Sequence, residues 1–198
     1  NRIKDLAEIE TRLEEVKNPV VILYGQKGKA DGSGVVNGDK DIEVVKTKLC
    51  EWCQPLQQNP SGRFLVLKNC SAQHVKEELA KFVETKVFKN ADFVMWVHSA
   101  HGIASGDKSG ILDQDENRMY LEKSTTTTRA ARSAATKQIG IFQFIESKAP
   151  KGANRLYLFG SCRSKSTFST RNTLSFETQS DIPESPGMIK AYPCLPGT

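Results

Sequence analysis

The sequence has no long hydrophobic run, and that absence limits the kinds of protein it can encode. No apolar stretch among its 198 residues approaches the ~20 residues that a membrane-spanning helix needs. No segment resembles a signal peptide, so we expect a cytoplasmic protein that does not contact membranes. Charge of one sign is not in large excess either. The formal net charge of +5 permits acidic partners but does not indicate nucleic-acid binding.

Cysteine is scarce, and its number is odd. Five cysteines at scattered positions do not fit a disulfide framework and favour a reducing compartment. Cys50 and Cys53 form a C-x-x-C pair, but the chain offers no suitable second pair of ligands for zinc. The pair also ends a predicted helix, whereas a redox-active C-x-x-C begins one. We therefore expect ordinary thiols at both positions, and no metal or other cofactor.

The common nucleotide-binding and calcium-binding patterns are absent as well. The glycine-rich segment 25–34 follows the first predicted strand, where a phosphate-binding loop would lie. Its spacing gives neither a P-loop nor the third glycine of a dinucleotide-binding fingerprint. The acidic residues Asp113, Asp115 and Glu116 do not match the spacing of an EF-hand loop. The sequence predicts a flexible loop at the first place and a solvated turn at the second.

Five short apolar runs are present, and their arrangement predicts an α/β fold. The runs are short enough to be strands rather than helices. In the first half of the chain they alternate with amphipathic segments, which predicts a parallel sheet with right-handed crossovers. The predicted helices begin within 37–41 and after Ser71, and a third is expected over 139–147. The predicted strands are 20–24, 64–67, 93–97, 156–159 and 188–192.

Two of these strands are followed by residues that carry chemistry. Cys162 follows the strand at 156–159, and His101 follows the strand at 93–97. Neighbouring parallel strands would bring both residues to the carboxyl edge of the sheet, where active sites of open α/β sheets lie. A thiol becomes a useful nucleophile when a base is within hydrogen-bonding reach. The backbone amides of Gly102 and Cys162 could then face a developing oxyanion. The alternative is that Cys162 is a buried, inert thiol.

At these positions the sequence resembles the caspases, a family of cysteine endopeptidases. Caspases carry Ser-His-Gly after one strand and Gln-Ala-Cys-Arg-Gly after the next, with the histidine roughly 50 residues before the cysteine. Here His101 precedes Cys162 by 61 residues. The resemblance implies a three-layer α/β/α sandwich with a mainly parallel central sheet. It also implies a role in cell death or related proteolytic signalling.

The resemblance also assigns roles to individual residues. Cys162 would attack the scissile carbonyl, and His101 would serve as general base and acid. The amides of Gly102 and Cys162 would bind the oxyanion, and Gly160 and Ser161 would contact the substrate. The expected partners are a peptide or protein substrate and a caspase-type homodimer or heterodimer.

The chain divides into four predicted segments. Residues 1–17 carry the pattern of an amphipathic helix, which either binds a partner or packs on its own domain. By the resemblance, residues 18–163 correspond to a caspase large subunit, 164–181 to the linker and 182–198 to the beginning of a small subunit.

Some positions depart from the caspase pattern. Val35 or Val36 stands where caspases carry the arginine that binds the substrate aspartate. Gly160 replaces the glutamine of Gln-Ala-Cys-Arg-Gly, and Ser164 replaces its glycine. These replacements support a second hypothesis, a catalytically impaired caspase homologue that binds and regulates an active caspase.

Overall fold

The five predicted strands form one central sheet. The structure is a computed structural model, and it describes residues 16–27, 37–105, 108–113, 118–122, 137–160, 164–165, 173–174, 176–178 and 188–191. The strands are β1 (Pro19–Gly25), β2 (Phe64–Lys68), β3 (Phe93–Ser99), β8 (Asn154–Gly160) and β12 (Met188–Ala191). They are ordered β2-β1-β3-β8-β12, and every neighbouring pair is parallel. The predicted parallel sheet is therefore confirmed.

Helices cover both faces of this sheet. The side chains of β1 alternate, so Val20, Ile22 and Tyr24 join one buried apolar cluster. Val21 and Leu23 join a second cluster on the opposite face. Helices α1 (Gly38–Trp52) and α2 (Gln54–Gln58) cover the second cluster, whereas α3 (Ala72–Val83), α4 (Lys86–Lys89) and α5 (Ile141–Lys148) cover the first. The protein is thus an α/β sandwich of three layers.

The helix starts agree with the sequence in two cases and differ in one. The side chain of Ser71 caps α3 by accepting a hydrogen bond from the His74 amide at 3.3 Å, as predicted. Helix α1 begins at Gly38, within the predicted range 37–41, although Asn37 before it forms no side-chain capping bond. Helix α5 begins at Ile141 because Ile139 belongs to a strand, and Phe142 rather than Phe144 is fully buried.

A second sheet lies beyond the carboxyl end of β3. It contains β4 (Gly102–Ser105), β5 (Lys108–Leu112), β6 (Arg118–Glu122), β9 (Ser164–Lys165) and β10 (Thr173–Leu174), in the order β10-β6-β5-β4-β9. Strands β5 and β6 form an antiparallel hairpin. Strands β7 (Lys137–Ile139) and β11 (Phe176–Thr178) form a separate antiparallel pair. Strands β9, β10 and β11 fall within the segment interpreted as a linker.

The predicted strands do not include residues 103–110, where β4 and part of β5 lie. The segment is rich in glycine, serine and charge, which are poor strand signals, yet β4 pairs with β5 through it. The backbone pairing that stabilises this hairpin is not encoded in local composition. In the part of the chain that the structure describes, no helix is long and apolar enough to cross a membrane.

Candidate active site

Strands β3 and β8 end at the same level of the sheet. They are parallel neighbours whose register runs from Phe93 opposite Asn154 to Ser99 opposite Gly160. His101 comes two residues after Ser99, and Cys162 comes two residues after Gly160. The predicted adjacency of the two strand ends is therefore present. The His101 side chain is exposed, whereas Ser161 and Cys162 lie outside the described residues.

His98 has a different environment from His101. It is fully buried on β3, and its Nδ1 accepts a hydrogen bond from the Trp96 indole N–H at 2.9 Å. That bond requires an unprotonated Nδ1. Burial lowers the pKa of His98 to about 3, so the ring is neutral at physiological pH. The alternation of side chains along β3 does not determine the direction of His101 relative to His98, because β3 ends at Ser99, before His101.

Gly160 occupies a position where the two strands come unusually close. A Cβ atom there would collide with the carbonyl oxygen of His98 on β3. Glycine is therefore the residue that fits this backbone, and the glutamine found in caspases would require the strands to separate. This close approach gives a physical reason for the departure from the Gln-Ala-Cys pattern.

Gly102 connects the two sheets. It is buried at the start of β4, opposite Ile111 of β5 in the antiparallel pair. His101 is thus held between the end of β3 and the beginning of β4, and its backbone is fixed by strand pairing on both sides. This arrangement limits the movement of the candidate base relative to the end of β8.

Carboxylates from the start of α1 lie at the same edge. Asp41 accepts a hydrogen bond from the Ser99 hydroxyl at 2.8 Å, and Asp39 accepts one from the Asn69 side-chain amide at 3.3 Å. Acidic residues suit this helix end because its backbone dipole is positive there. The helix approaches closely because Gly38 has no side chain: a Cβ atom would meet the Ser99 carbonyl.

Asp113 ties the second sheet to the first. It is fully buried directly after β5, and its carboxylate accepts a hydrogen bond from the Ala72 amide at 2.6 Å. Its backbone carbonyl accepts another from the Gln26 side chain at 2.5 Å. Asp113 therefore caps α3, and its burial shows that the predicted solvated turn is wrong for this residue. Burial, assisted by the charge of Asp113, raises the pKa of Tyr24.

Cys70 is a second thiol at this edge, and the sequence analysis did not consider it as a nucleophile. It lies just after β2, half-buried, with its thiol 3.1 Å from the Lys68 carbonyl. Burial raises its pKa, and the carboxylate of Glu78 adds to that effect. A raised pKa reduces the thiolate fraction at neutral pH, so Cys70 is a poor nucleophile.

The two cysteines of the C-x-x-C pair do not form a disulfide. Cys50 and Cys53 are free and half-buried at the end of α1. Among the described residues, no group of three His, Cys, Asp or Glu side chains is placed to hold a metal ion. A shallow depression of about 370 Å³ on α1 and α2 lies away from the strand ends. It is lined by Glu43, Lys46, Thr47, Cys50, Glu51 and Gln57.

Two residues of the edge were missed by sequence reasoning. Asp41 and Asp113 contact partners 58 and 41 positions away along the chain, so no local pattern indicated their roles. The remaining predicted positions of this region, including Val35, Val36 and Glu116, lie outside the described residues.

Comparison with known proteins does not assign the chain to a family. The sequence matches no protein-family model, and a search of curated proteins finds no match either.

Proposed function

We propose that this protein is a caspase-like cysteine endopeptidase that uses Cys162 and His101. The observation that carries the proposal is the register of β3 and β8, which pairs Ser99 with Gly160. Each reactive residue follows its strand end by two positions. In the proposed mechanism, the Cys162 thiolate attacks the scissile carbonyl after His101 takes the thiol proton. The backbone amides of Gly102 and Cys162 stabilise the oxyanion, and His101 returns the proton to the leaving amine.

His101 is also the best base among the three histidines. His98 is buried and its pKa is about 3, so it cannot exchange a proton with a substrate at neutral pH. His74 lies at the start of α3, beyond β2. Strand β2 is separated from β8 by β1 and β3, which is about 14 Å at the usual ~4.8 Å strand spacing. His101 is exposed and follows β3, the strand that pairs with β8.

An electrophile that labels cysteine proteases tests the assignment. We expect labelling of the native chain under reducing conditions, and no labelling of Cys162→Ala. His101→Ala should slow labelling by roughly 10²–10⁴-fold, the usual effect of losing a general base. Cys70→Ala and His74→Ala are matched controls and should label at the native rate. If Cys70→Ala alone abolishes labelling, the nucleophile has been assigned to the wrong cysteine.

A regulatory homologue without peptidase activity is the second candidate. It is favoured by the surroundings of His101: no side chain in the described residues forms a hydrogen bond with this ring. The described residues therefore include no group that fixes the orientation and tautomer of the His101 imidazole through a hydrogen bond. If Cys162 resists labelling, we expect the chain to bind an active caspase-type peptidase. That binding would be measured as a change in the rate of the peptidase upon titration with this protein.

A further inference from the structure

One apolar strip of the central sheet is incompletely covered by the described helices. Leu156 and Leu158 of β8 face the same side as α1, since both belong to the cluster beneath that helix. Both are only half-buried. Helix α1 packs on β1 and β3, the strands before β8 in the sheet order. We call Leu156 and Leu158 the β8 strip.

The N-terminal part of the chain enters the sheet beside this strip. The amides of Lys17 and Asn18 donate hydrogen bonds to the Asp92 carboxylate at 2.8 and 2.9 Å. The backbone carbonyl of Asp92 accepts a hydrogen bond from the Asn154 amide at 2.9 Å. Asp92 therefore fixes residues 17–18 at the amino ends of β3 and β8, even though they lead directly into β1.

The sequence preceding this point has a single apolar face. Its apolar residues are separated by three or four positions, the spacing of a helix stripe, and most of the remaining residues are charged. Thr11 lies opposite the stripe at 100° per residue. The stripe residues are Ile3, Leu6, Ile9, Leu13 and Val16. Such a helix is not stable alone in water and needs an apolar surface.

The N-terminal segment, as a helix, and strand β8 have similar lengths. Fifteen helical residues, 2–16, span about 22 Å at 1.5 Å each. The seven residues of β8 span about 23 Å at 3.3 Å each. A helix over residues 2–16, which leads into Lys17, would run along β8 and beside α1, in the same direction as α1. Two helices packed side by side are separated by 8–10 Å, about twice the strand spacing.

We propose that residues 2–16 form a helix that packs on the β8 strip and completes the helical layer beside α1. This inference does not depend on the proposed peptidase activity. The different rises of helix and strand set the register. Leu156 lies two residues beyond Asn154, about 7 Å, which corresponds to about four helical residues before Lys17. Leu13 therefore contacts Leu156. Leu158 lies about 7 Å further along the strand, and the same count from Leu13 makes Ile9 its partner.

Double-mutant cycles in the full chain test this contact. The variants Leu13→Ala, Leu156→Ala and their combination are unfolded in urea, as are Ile9→Ala, Leu158→Ala and their combination. We expect each single substitution to lower the urea midpoint, and each double variant to lower it by less than the sum, since contacting residues are not additive. Thr11→Ala, on the opposite face of the segment, should leave the midpoint unchanged. If this contact forms within one chain, sedimentation of the native chain should show a monomer.

Three outcomes would overturn the proposal. If Leu13→Ala leaves the midpoint unchanged, the segment does not pack on its own domain. If Leu13→Ala is additive with Leu156→Ala but not with Val44→Ala or Trp52→Ala, the segment lies on α1 instead. Val44 and Trp52 are exposed residues of α1, 61% and 77% accessible. If Leu156→Ala dissociates a dimer seen in sedimentation, a second copy of the chain covers the strip.

Discussion

At the scale of single residues, burial decides which of two similar groups can react. His98 and His101 are three positions apart, yet one is enclosed beside Trp96 and the other is exposed. The enclosed imidazole contributes to stability only while it is neutral. Its contribution to stability therefore depends on pH.

The pH dependence of stability provides a test of the buried histidine. The pKa of His98 is about 3 in the folded chain and 6.5 in its ordinary state, so the unfolded chain binds an extra proton between these values. Above about pH 6.5, the contribution of His98 to the free energy of unfolding is fully present. Below that pH the contribution falls, by up to ~1.4 kcal/mol per pH unit. His98→Asn keeps an acceptor for Trp96 but does not titrate.

We expect the native chain to lose about 2 kcal/mol more than His98→Asn between pH 7.5 and pH 5.0. Urea unfolding followed by tryptophan fluorescence at the two pH values measures this difference. His74→Asn, which changes an exposed histidine, should behave like the native chain. Equal pH dependence in His98→Asn and the native chain would show that His98 titrates normally.

At the scale of elements, a buried ionic cluster attaches α5 to β8. The Arg155 Nε and Glu146 Oε2 atoms are 2.9 Å apart, and the two side chains are only 4% and 6% exposed. Their alignment is that of an ion pair rather than a hydrogen bond. The Tyr157 hydroxyl donates to the other Glu146 oxygen, and Arg155 also donates to the carbonyls of Ala153 and Pro150. The cluster thereby fixes the turn that leads into β8.

Removing Glu146 should destabilise the protein strongly. Glu146→Ala leaves the Arg155 charge buried without its partner, which typically reduces the free energy of unfolding by about 3–5 kcal/mol. The double variant Glu146→Ala with Arg155→Met should recover part of the loss, because no unpaired charge remains. Glu84→Ala is the control: Glu84 forms exposed ion pairs with Lys89 and Lys148, and its removal should have little effect. Chemical denaturation of the variants decides between these expectations.

The elements that the sequence predicted correctly are those defined by local patterns. Apolar runs gave all five central strands, and the Ser71 cap gave the start of α3. The ends of β3 and β8, which His101 and Cys162 follow in the sequence, also lie at one level of the sheet as predicted. The sequence could not predict contacts between distant positions, such as Asp41 with Ser99 or β4 with β5. Nor does it indicate which acidic residue of α3 pairs with Lys81, which contacts Glu78 at 2.7 Å.

At the scale of the whole molecule, the distribution of charge bears on the proposed substrate. A peptidase that cleaves after aspartate must bind a desolvated carboxylate, and a guanidinium is the side chain suited to that task. The arginine side chains that the structure describes, Arg63 and Arg155, lie at the amino ends of β2 and β8. The opposite edge carries the carboxylates of Asp39 and Asp41.

We therefore expect inefficient cleavage after aspartate by the purified chain. A peptide library varied at the residue before the scissile bond measures this preference. Cys162→Ala serves as the control for contaminating peptidases. Strong cleavage after aspartate would refute the argument from the missing arginine. In that case Lys27→Ala identifies whether the exposed lysine after β1 supplies the positive charge.

The strand order has a consequence for how the protein forms during synthesis. Strand β1 emerges first, and β2 joins it on one side. Strands β3, β8 and β12 then join on the other side in the order in which they are translated. Each later strand adds to an edge that already exists, so no strand has to insert between two that have paired. A ribosome releasing the chain from its N-terminus can thus assemble the sheet from its interior outward, with β12 completing it.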